Sequence, residues 1–266
     1  MGRFVGSTVV VTGSGRQGGL GQGILQRFAD EGAQCVVSDR AITDEGECVA
    51  AELRGRGATV ATIACDVSDA GQCQALVDQA VARFGGIDVL VNNAGIGFMM
   101  RPLLDVVPAD WATVIGVNLS GAFYCTQAAA RAMVAGGRPG GRIINIASQA
   151  AKSAFPHLAA YVSSKHGMIG LTRAAALELG AYGITVNAVC PNHVTTPLGV
   201  EQNAYFSKLL GFASVEAYLA SMAARNPLGR PGLPGDTAAT CLWLASPDAN
   251  YITGEAINVS GGEEMH

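Results

Sequence analysis

The sequence is short of charge, of aromatic rings and of any pattern that would cross-link or anchor it. Only 14% of its 266 residues are Asp, Glu, Lys or Arg, and the net charge of −4 comes without a basic block. Nucleic-acid binding therefore has no electrostatic support. The seven cysteines (Cys35, Cys48, Cys65, Cys73, Cys125, Cys190 and Cys241) are odd in number and none belongs to a C-x-x-C pair. Neither a disulfide framework nor a metal site is expected; small core hydrophobes in a reducing cytoplasm are. No apolar run is long enough to span a bilayer, and no signal-peptide pattern opens the chain. Gly6 stands where a myristoylation motif needs Ser or Thr, so no membrane partner is expected.

Aromatic residues make up 6%, whereas hydrophobic residues reach 49% and glycines number 35. That mix suits a parallel sheet closely packed by helices. Strand-like runs (STVVVT, QCVVS, TVATIAC, DVLVNN, RIINIA, TVNAV and AINVS) alternate with helix-period segments that begin near Gly19, Asp44, Asp69, Trp111, Tyr161 and Gly235. The alternation predicts βαβ units with right-handed crossovers, hence an α/β, doubly wound, parallel seven-stranded sheet with helices on both faces. No linker or repeat interrupts it, so residues 1–266 are expected to form a single domain. The stretch 197–234, which holds Pro197, Pro227, Pro231 and Pro234, is irregular and is expected to be a substrate lid.

The first strand empties into TGSGRQGGLGQGI. Glycines let the backbone approach a pyrophosphate, and a following helix offers free N–H groups and the positive end of its dipole. Such a turn is a weak signal alone; Asp39, closing the second strand at VVSD, strengthens it. A carboxylate there accepts hydrogen bonds from both adenosine ribose hydroxyls and repels a 2′-phosphate. Arg40 beside it and Arg16 in the turn could pair with such a phosphate. Two anions would then be desolvated together, so NAD is favoured over NADP.

Tyr161 and Lys165 lie four residues apart in AAYVSSKHG and, on a helix, share one face. A phenol normally titrates near pH ~10, too high for a base at neutrality, and a neighbouring ammonium lowers it. Ser148 follows RIINIA, at a strand's carboxyl end, where open α/β sheets bind ligands. Asn118, in VNLSG, sits in a helix-period segment where its amide competes for backbone hydrogen bonds and needs another reason to be present.

Together these segments resemble the classical short-chain dehydrogenase/reductase (SDR) family, over nearly the whole chain from the Gly-rich turn to YITGEAINVSGG. The family's tetrad matches Asn118, Ser148, Tyr161 and Lys165, and its adenine-side acid matches Asp66, followed by Val67, in CDV. Its NNAG motif matches Asn92, Asn93, Ala94 and Gly95. Its Pro-Gly-x-Val/Ile-x-Thr motif is met by Pro191, Asn192, His193, Val194, Thr195 and Thr196. The resemblance implies a Rossmann-type dinucleotide-binding and catalytic domain that interconverts a secondary alcohol and a ketone with NAD(H). It implies cofactor contacts from Gly13, Gly19, Leu20, Gly21, Asp39, Arg40, Asp66, Val67, Asn93, Ala94, Gly95, Tyr161, Lys165, Pro191, Val194 and Thr196. In the implied mechanism Ser148 and Tyr161 hydrogen-bond the substrate oxygen and Tyr161 transfers its proton. Lys165 lowers the Tyr161 pKa and binds the nicotinamide ribose, while Asn118 anchors a water. A homotetramer is implied as well, paired through the helices after Pro108 and around Tyr161 and through the last strand.

Two departures from the family pattern stand out. Thr12-Gly13 and Gly19-Leu20-Gly21 are two residues further apart than in T-G-x-x-x-G-x-G, which lengthens the phosphate loop. Asn192 replaces the usual Gly, where Asn's tolerance of positive φ would help. At the substrate end, position alone points to Gln149, Phe155, His193, Leu198 and Tyr205, with Phe98, Met99, His157, Phe206 and Phe212 around them. The set is mostly apolar, so an uncharged, hydrophobic or cyclic small molecule is expected. Three rivals stay open: an NADPH-dependent ketoreductase, including the 3-oxoacyl thioester type; a non-catalytic dinucleotide sensor; and an S-adenosylmethionine methyltransferase, which has no use for Ser148, Tyr161 and Lys165.

Overall fold

The structure, a computed structural model, describes residues 2–97, 99–136, 140–197 and 199–266. The apolar runs become β1 (Thr8–Thr12), β2 (Gln34–Asp39), β3 (Val60–Ala64), β4 (Val89–Asn92), β5 (Arg142–Ile146), β6 (Thr185–Pro191) and β7 (Ala256–Val259). They form one sheet in the order β3-β2-β1-β4-β5-β6-β7, with every pairing parallel. Parallel neighbours need crossover connections. These are supplied by α1 (Leu20–Asp30), α2 (Asp44–Gly55), α3 (Ala70–Phe84), α4 (Pro108–Ile115), α5 (Gly121–Ala135), α6 (Ala159–Leu179) and α9 (Pro234–Ala245), with α7 (Gly199–Leu209) and α8 (Val215–Arg225) inserted before the last.

Side-chain alternation along the strands splits the core in two. Val9 and Val11 pack with Phe28, Leu53 and Leu244 on the face covered by α1, α2 and α9. Val10 packs with Leu76 of α3 and Met133 of α5 on the other. Burial on both faces is why the strands read as unbroken apolar runs. The cysteines are free, and all but Cys48 are buried. Between β1 and β4 the strand order reverses, which opens a crevice beyond the carboxyl ends of the strands.

Two segments differ from the sequence-based expectation. The helix expected near Trp111 starts at Pro108, whose missing N–H costs nothing in a first turn, and it is not uniform. Gly116–Ser120 form a π-helical turn before α5 resumes at Gly121. The stretch 197–234 is also less irregular than expected. Its helices α7 and α8 bring Phe206, Tyr218 and Met222 onto Leu158 as a small apolar cluster apart from the main cores.

Candidate active site

A cleft of about 620 Å³ runs along the carboxyl ends of the strands, from Asp39 and Asp66 at one end to Phe206 and Met222 at the other. At the first end β1 is clamped to β4. Thr12 Oγ1 accepts from the Asn93 and Ala94 N–H groups at 3.1 Å each, and Asn93 Nδ2 donates to the carbonyls of Thr12 and Gly13 at 2.8 Å. Gly13 has φ of 63°, and a Cβ there would lie 2.7 Å from Ala94 Cα, so only glycine fits.

The lengthened loop is fastened by its own protein. Gly15 N–H donates to Asp39 Oδ2 at 3.1 Å, Gln17 N–H to Glu45 Oε1 at 2.8 Å and Gly18 N–H to Gln22 Oε1 at 2.7 Å. Those N–H groups are engaged. The Gly19 N–H is engaged as well, by the Arg16 carbonyl at 3.1 Å, but the first turn of α1, from Leu20, has no side-chain cap, and Gly19 and Leu20 line the cleft. An uncapped helix N-terminus of this kind, beside glycines that keep the floor clear, fits a dinucleotide pyrophosphate. Gly95 adds to the cradle: a Cβ there would sit 3.4 Å from Asn118 Oδ1 and 3.7 Å from Lys165 Nζ. Asp39 Oδ1 also accepts from the Arg40 N–H at 2.8 Å, which fixes its carboxylate in the cleft. Hydrogen bonds from Ser68, side chain and backbone, hold the Asp66 carboxyl below its ordinary range, and the Arg40 charge adds to this.

Every expected cofactor contact lines the cleft except Gly21. A Cβ on Gly21 would lie 2.7 Å from Ser14 Cα and 2.8 Å from Asn93 Nδ2, so it serves the close approach of α1 to the loop. Asn192 does not adopt positive φ, so the tolerance expected of it is not called upon.

At the catalytic end α6 presents Tyr161 and Lys165 on one face. Lys165 is 4% exposed, and its Nζ donates to the Ile146 carbonyl at 2.7 Å. Burial lowers its pKa from 10.5 to about 8. Burial also pushes the Tyr161 phenol up, while a hydrogen bond with the Ser148 side chain draws it back. Lys165, expected by resemblance to lower the phenol, is not among these influences in the present arrangement. Its ammonium sits 5.7 Å from the ring centroid but is tied to Ile146.

Asn118 does not line the cleft. Fully buried in the π-helical turn, it accepts from Ile96 N–H at 2.8 Å and donates to the Ile96 carbonyl and Ser164 Oγ at 3.0 Å each. π-Helical turns recur at functional sites, and this one answers why an amide stands in a helix-period segment.

Of the expected substrate contacts, Gln149, Phe155 and His193 line the cleft, while Leu198, like Phe98, lies outside the described residues. Tyr205 is corrected: its hydroxyl meets His157 Nδ1 at 2.7 Å and it does not line the cleft. Successive residues on α7 point about 100° apart, so Phe206 faces in and Tyr205 does not. His157 is the one non-glycine residue with positive φ (64°) among the described residues, at the turn into α6. Burial lowers the His193 pKa, with Glu263 pulling the other way, so the ring is uncharged at neutral pH. Leu158, Gln202, Asn203, Tyr218 and Met222 line the cleft and were missed. The available signal was the helical spacing of Tyr218 and Met222, which says nothing about where α8 docks.

A family model described as Enoyl-(Acyl carrier protein) reductase matches residues 13–264. The short-chain reductase protein NovJ of Streptomyces niveus is 40% identical over 256 residues, covering 96% of this chain and 93% of its own. A 3-oxoacyl-(acyl-carrier-protein) reductase of Staphylococcus aureus is 36% identical over 261 residues, 97% of this chain and 98% of its own. The solved structure of NAD⁺-bound xylitol dehydrogenase superposes with a TM-score of 0.92 at 31% identity, over 98% of this chain and 100% of that one.

Proposed function

We propose that this chain, which belongs to the short-chain dehydrogenase/reductase family and is an oxidoreductase of that type, interconverts a secondary alcohol and a ketone with NAD(H). Its substrate in this reading is small to medium in size, largely uncharged, and hydrophobic or cyclic. The observation that carries the reading is the meeting of Ser148, the Tyr161 phenol and buried Lys165 in one cleft that reaches Asp39 at its far end. A nicotinamide dinucleotide, when bound, supplies the carbon that gives or takes hydride.

The chain's own residues divide the remaining work. Gly13, Gly19 and Leu20 would lie along the pyrophosphate, Asp39 at the adenosine ribose, Asp66 and Val67 at the adenine, and Val194 and Thr196 at the carboxamide. Ser148 and Tyr161 would hold the substrate oxygen. Burial keeps the phenol protonated at neutral pH, which suits donation to a ketone oxygen. In the alcohol direction the phenol must be drawn down, by Ser148 and by a Lys165 ammonium released from the Ile146 carbonyl. Asn118 is a positioning residue that holds Ile96 at the cleft wall.

NAD rather than NADP is favoured because the Asp39 carboxylate is anchored where a 2′-phosphate would meet it. Arg16 and Arg40 line the same end and support a second reading, an NADPH-dependent ketoreductase that includes 3-oxoacyl thioesters among its substrates. Initial rates with each cofactor over a panel of secondary alcohols and ketones test the two. NAD should be preferred, and Asp39→Ala should move the ratio toward NADP by about tenfold or more, since facing anions cost several kcal/mol. A wild-type preference for NADPH, or an unmoved ratio in Asp39→Ala, would remove the NAD assignment. Binding of NADH with no turnover of any panel member would revive the sensor.

One catalytic domain with α7 and α8 as its lid belongs to the same proposal, as does a homotetramer. Leu103, Leu104, Val107 and Trp111 expose an apolar strip at α4, and Tyr251 stands fully exposed ahead of β7. Light scattering at micromolar concentration should give four chains, and a monomer would contradict it. Seven free cysteines fit a cytoplasmic location, and no helix among the described residues is long and apolar enough to cross a membrane.

A further inference from the structure

Three side chains at the substrate end of the cleft, Gln149, Asn192 and Gln202, are amides whose nitrogens face groups that can only accept. Gln149 Nε2 donates to the Glu264 carboxylate at 3.2 Å. Asn192 Nδ2 donates to the Glu263 carboxylate and, at 3.2 Å, to Asn226 Oδ1, which engages both its hydrogens. Gln202 Nε2 donates to the Gly97 carbonyl at 2.6 Å. Reversing any of these amides would set two acceptors face to face, so the partners dictate the orientation. None of the three amide oxygens accepts a hydrogen bond from the described residues.

Both carboxylates come from the last four residues of the chain. Glu264, 8% exposed, also accepts from Ser153 Oγ and meets His266 Nε2 at 3.1 Å. Glu263 pairs with Arg225 Nε at 3.0 Å. Glu263 is therefore paired with a cation, and Glu264 is held by the neutral donors Gln149 and Ser153; neither carboxylate lines the cleft, whereas the amides they hold do. Asn203 is the cleft amide left free to present either end. The same end also holds the apolar Phe155, Leu158, Phe206 and Met222, with His193 and Tyr218 as further polar-tipped side chains.

Two of the three amides border the catalytic pair. Gln149 directly follows Ser148, and Gly97, which Gln202 holds, packs so closely on the Tyr161 ring that a Cβ would come within 3.1 Å of Cε2. A ligand that fills such a site without donors leaves acceptors dry, which is costly. We propose that Glu263 and Glu264 are specificity-determining positioning residues: they turn the Asn192 and Gln149 oxygens to the cleft beside that of Gln202, and so select neutral cyclic substrates with a second hydroxyl next to the reacting carbinol. The inference rests on the hydride-transfer reading above and names the substrate class for it.

The test compares cyclohexanol with cyclohexane-1,2-diol as NAD-dependent substrates of the wild type, Glu263→Gln and Glu264→Gln. In the wild type kcat/KM for the diol should exceed that for cyclohexanol by about tenfold or more. A glutamine can donate or accept, so each variant frees its partner amide to turn over. The diol should then lose kcat/KM several-fold more than cyclohexanol does, with NADH binding by fluorescence and melting temperature near wild type. A merely structural role would move both alcohols together. Equal kcat/KM for the two alcohols in the wild type, or an undiminished diol preference in both variants, overturns the inference. Calorimetric titration of the protein–NAD complex with each alcohol distinguishes the two readings. Tighter diol binding with no turnover of either alcohol supports the acceptor wall and removes the hydride transfer; turnover with no diol preference in rate or binding does the reverse.

Discussion

At the cofactor end the cleft is lined by the carboxyl termini of β1 to β4 and the turns that leave them, whereas the substrate end is assembled from the β5–α6 turn, α6, the β6–α7 turn, α7 and α8, and the tail after β7 reaches it only through the amides it holds. The first is backbone and glycine held by the sheet, with contacts such as Thr12 to Asn93 that follow from strand pairing. The second is side chain, delivered by segments that touch only because the sheet has brought their anchors together. Groups set by the sheet should give large, clean effects when changed, and groups on the lid should give small, graded ones.

Tyr161→Phe is the largest expected effect. It removes only a hydroxyl, yet turnover should fall by about 10²–10⁴ while NADH binding, read by fluorescence, stays nearly unchanged. Near-normal turnover would place the proton transfer elsewhere. Lys165 comes next and carries a pH signature. Its folded pKa of about 8 lies below the ordinary 10.5, so the buried ammonium subtracts stability in full below pH 8. That loss is relieved as the pH rises from 8 toward 10.5, where the unfolded chain also gives up its proton. Lys165→Met should be inactive yet more stable than wild type at pH 7. The gain is at most about 3 kcal/mol, less the lost bond to Ile146, and shrinks across that pH window. A gap that does not change with pH would remove the buried charge as its cause.

Asn118→Ala should cost about 1–3 kcal/mol in urea unfolding, because both Ile96 backbone groups lose their partner. A variant as stable as wild type would show that Ile96 finds other partners. The smallest effect belongs to the lid. Tyr205→Phe loses the bond to His157 outside the cleft, so stability should drop by about 0.5–1.5 kcal/mol with KM little changed. A KM rise of about tenfold, or roughly 1.4 kcal/mol of substrate binding, would break the contrast between the two ends and return Tyr205 to the pocket.

The amino-acid sequence by itself determined what depends on a few neighbouring residues. The Val-rich runs specify strands buried on both faces, and Gly13 specifies a turn that admits no Cβ. Tyr161 and Lys165 share a face because four residues are about one helical turn. Tertiary structure decided the rest. That the Lys165 ammonium turns to the Ile146 carbonyl depends on how α6 lies on β5, and the inward turn of Phe206 over Tyr205 depends on how α7 docks. Glu263 meets Asn192 across 71 positions and Glu264 meets Gln149 across 115. No local pattern links them. They meet because β7 runs parallel to β6, and β6 to β5, so the tail leaves the sheet at the same edge as the two turns that carry the amides. Propensity and periodicity act over a turn or two of chain, whereas the order of strands in a sheet sets distances across the whole molecule.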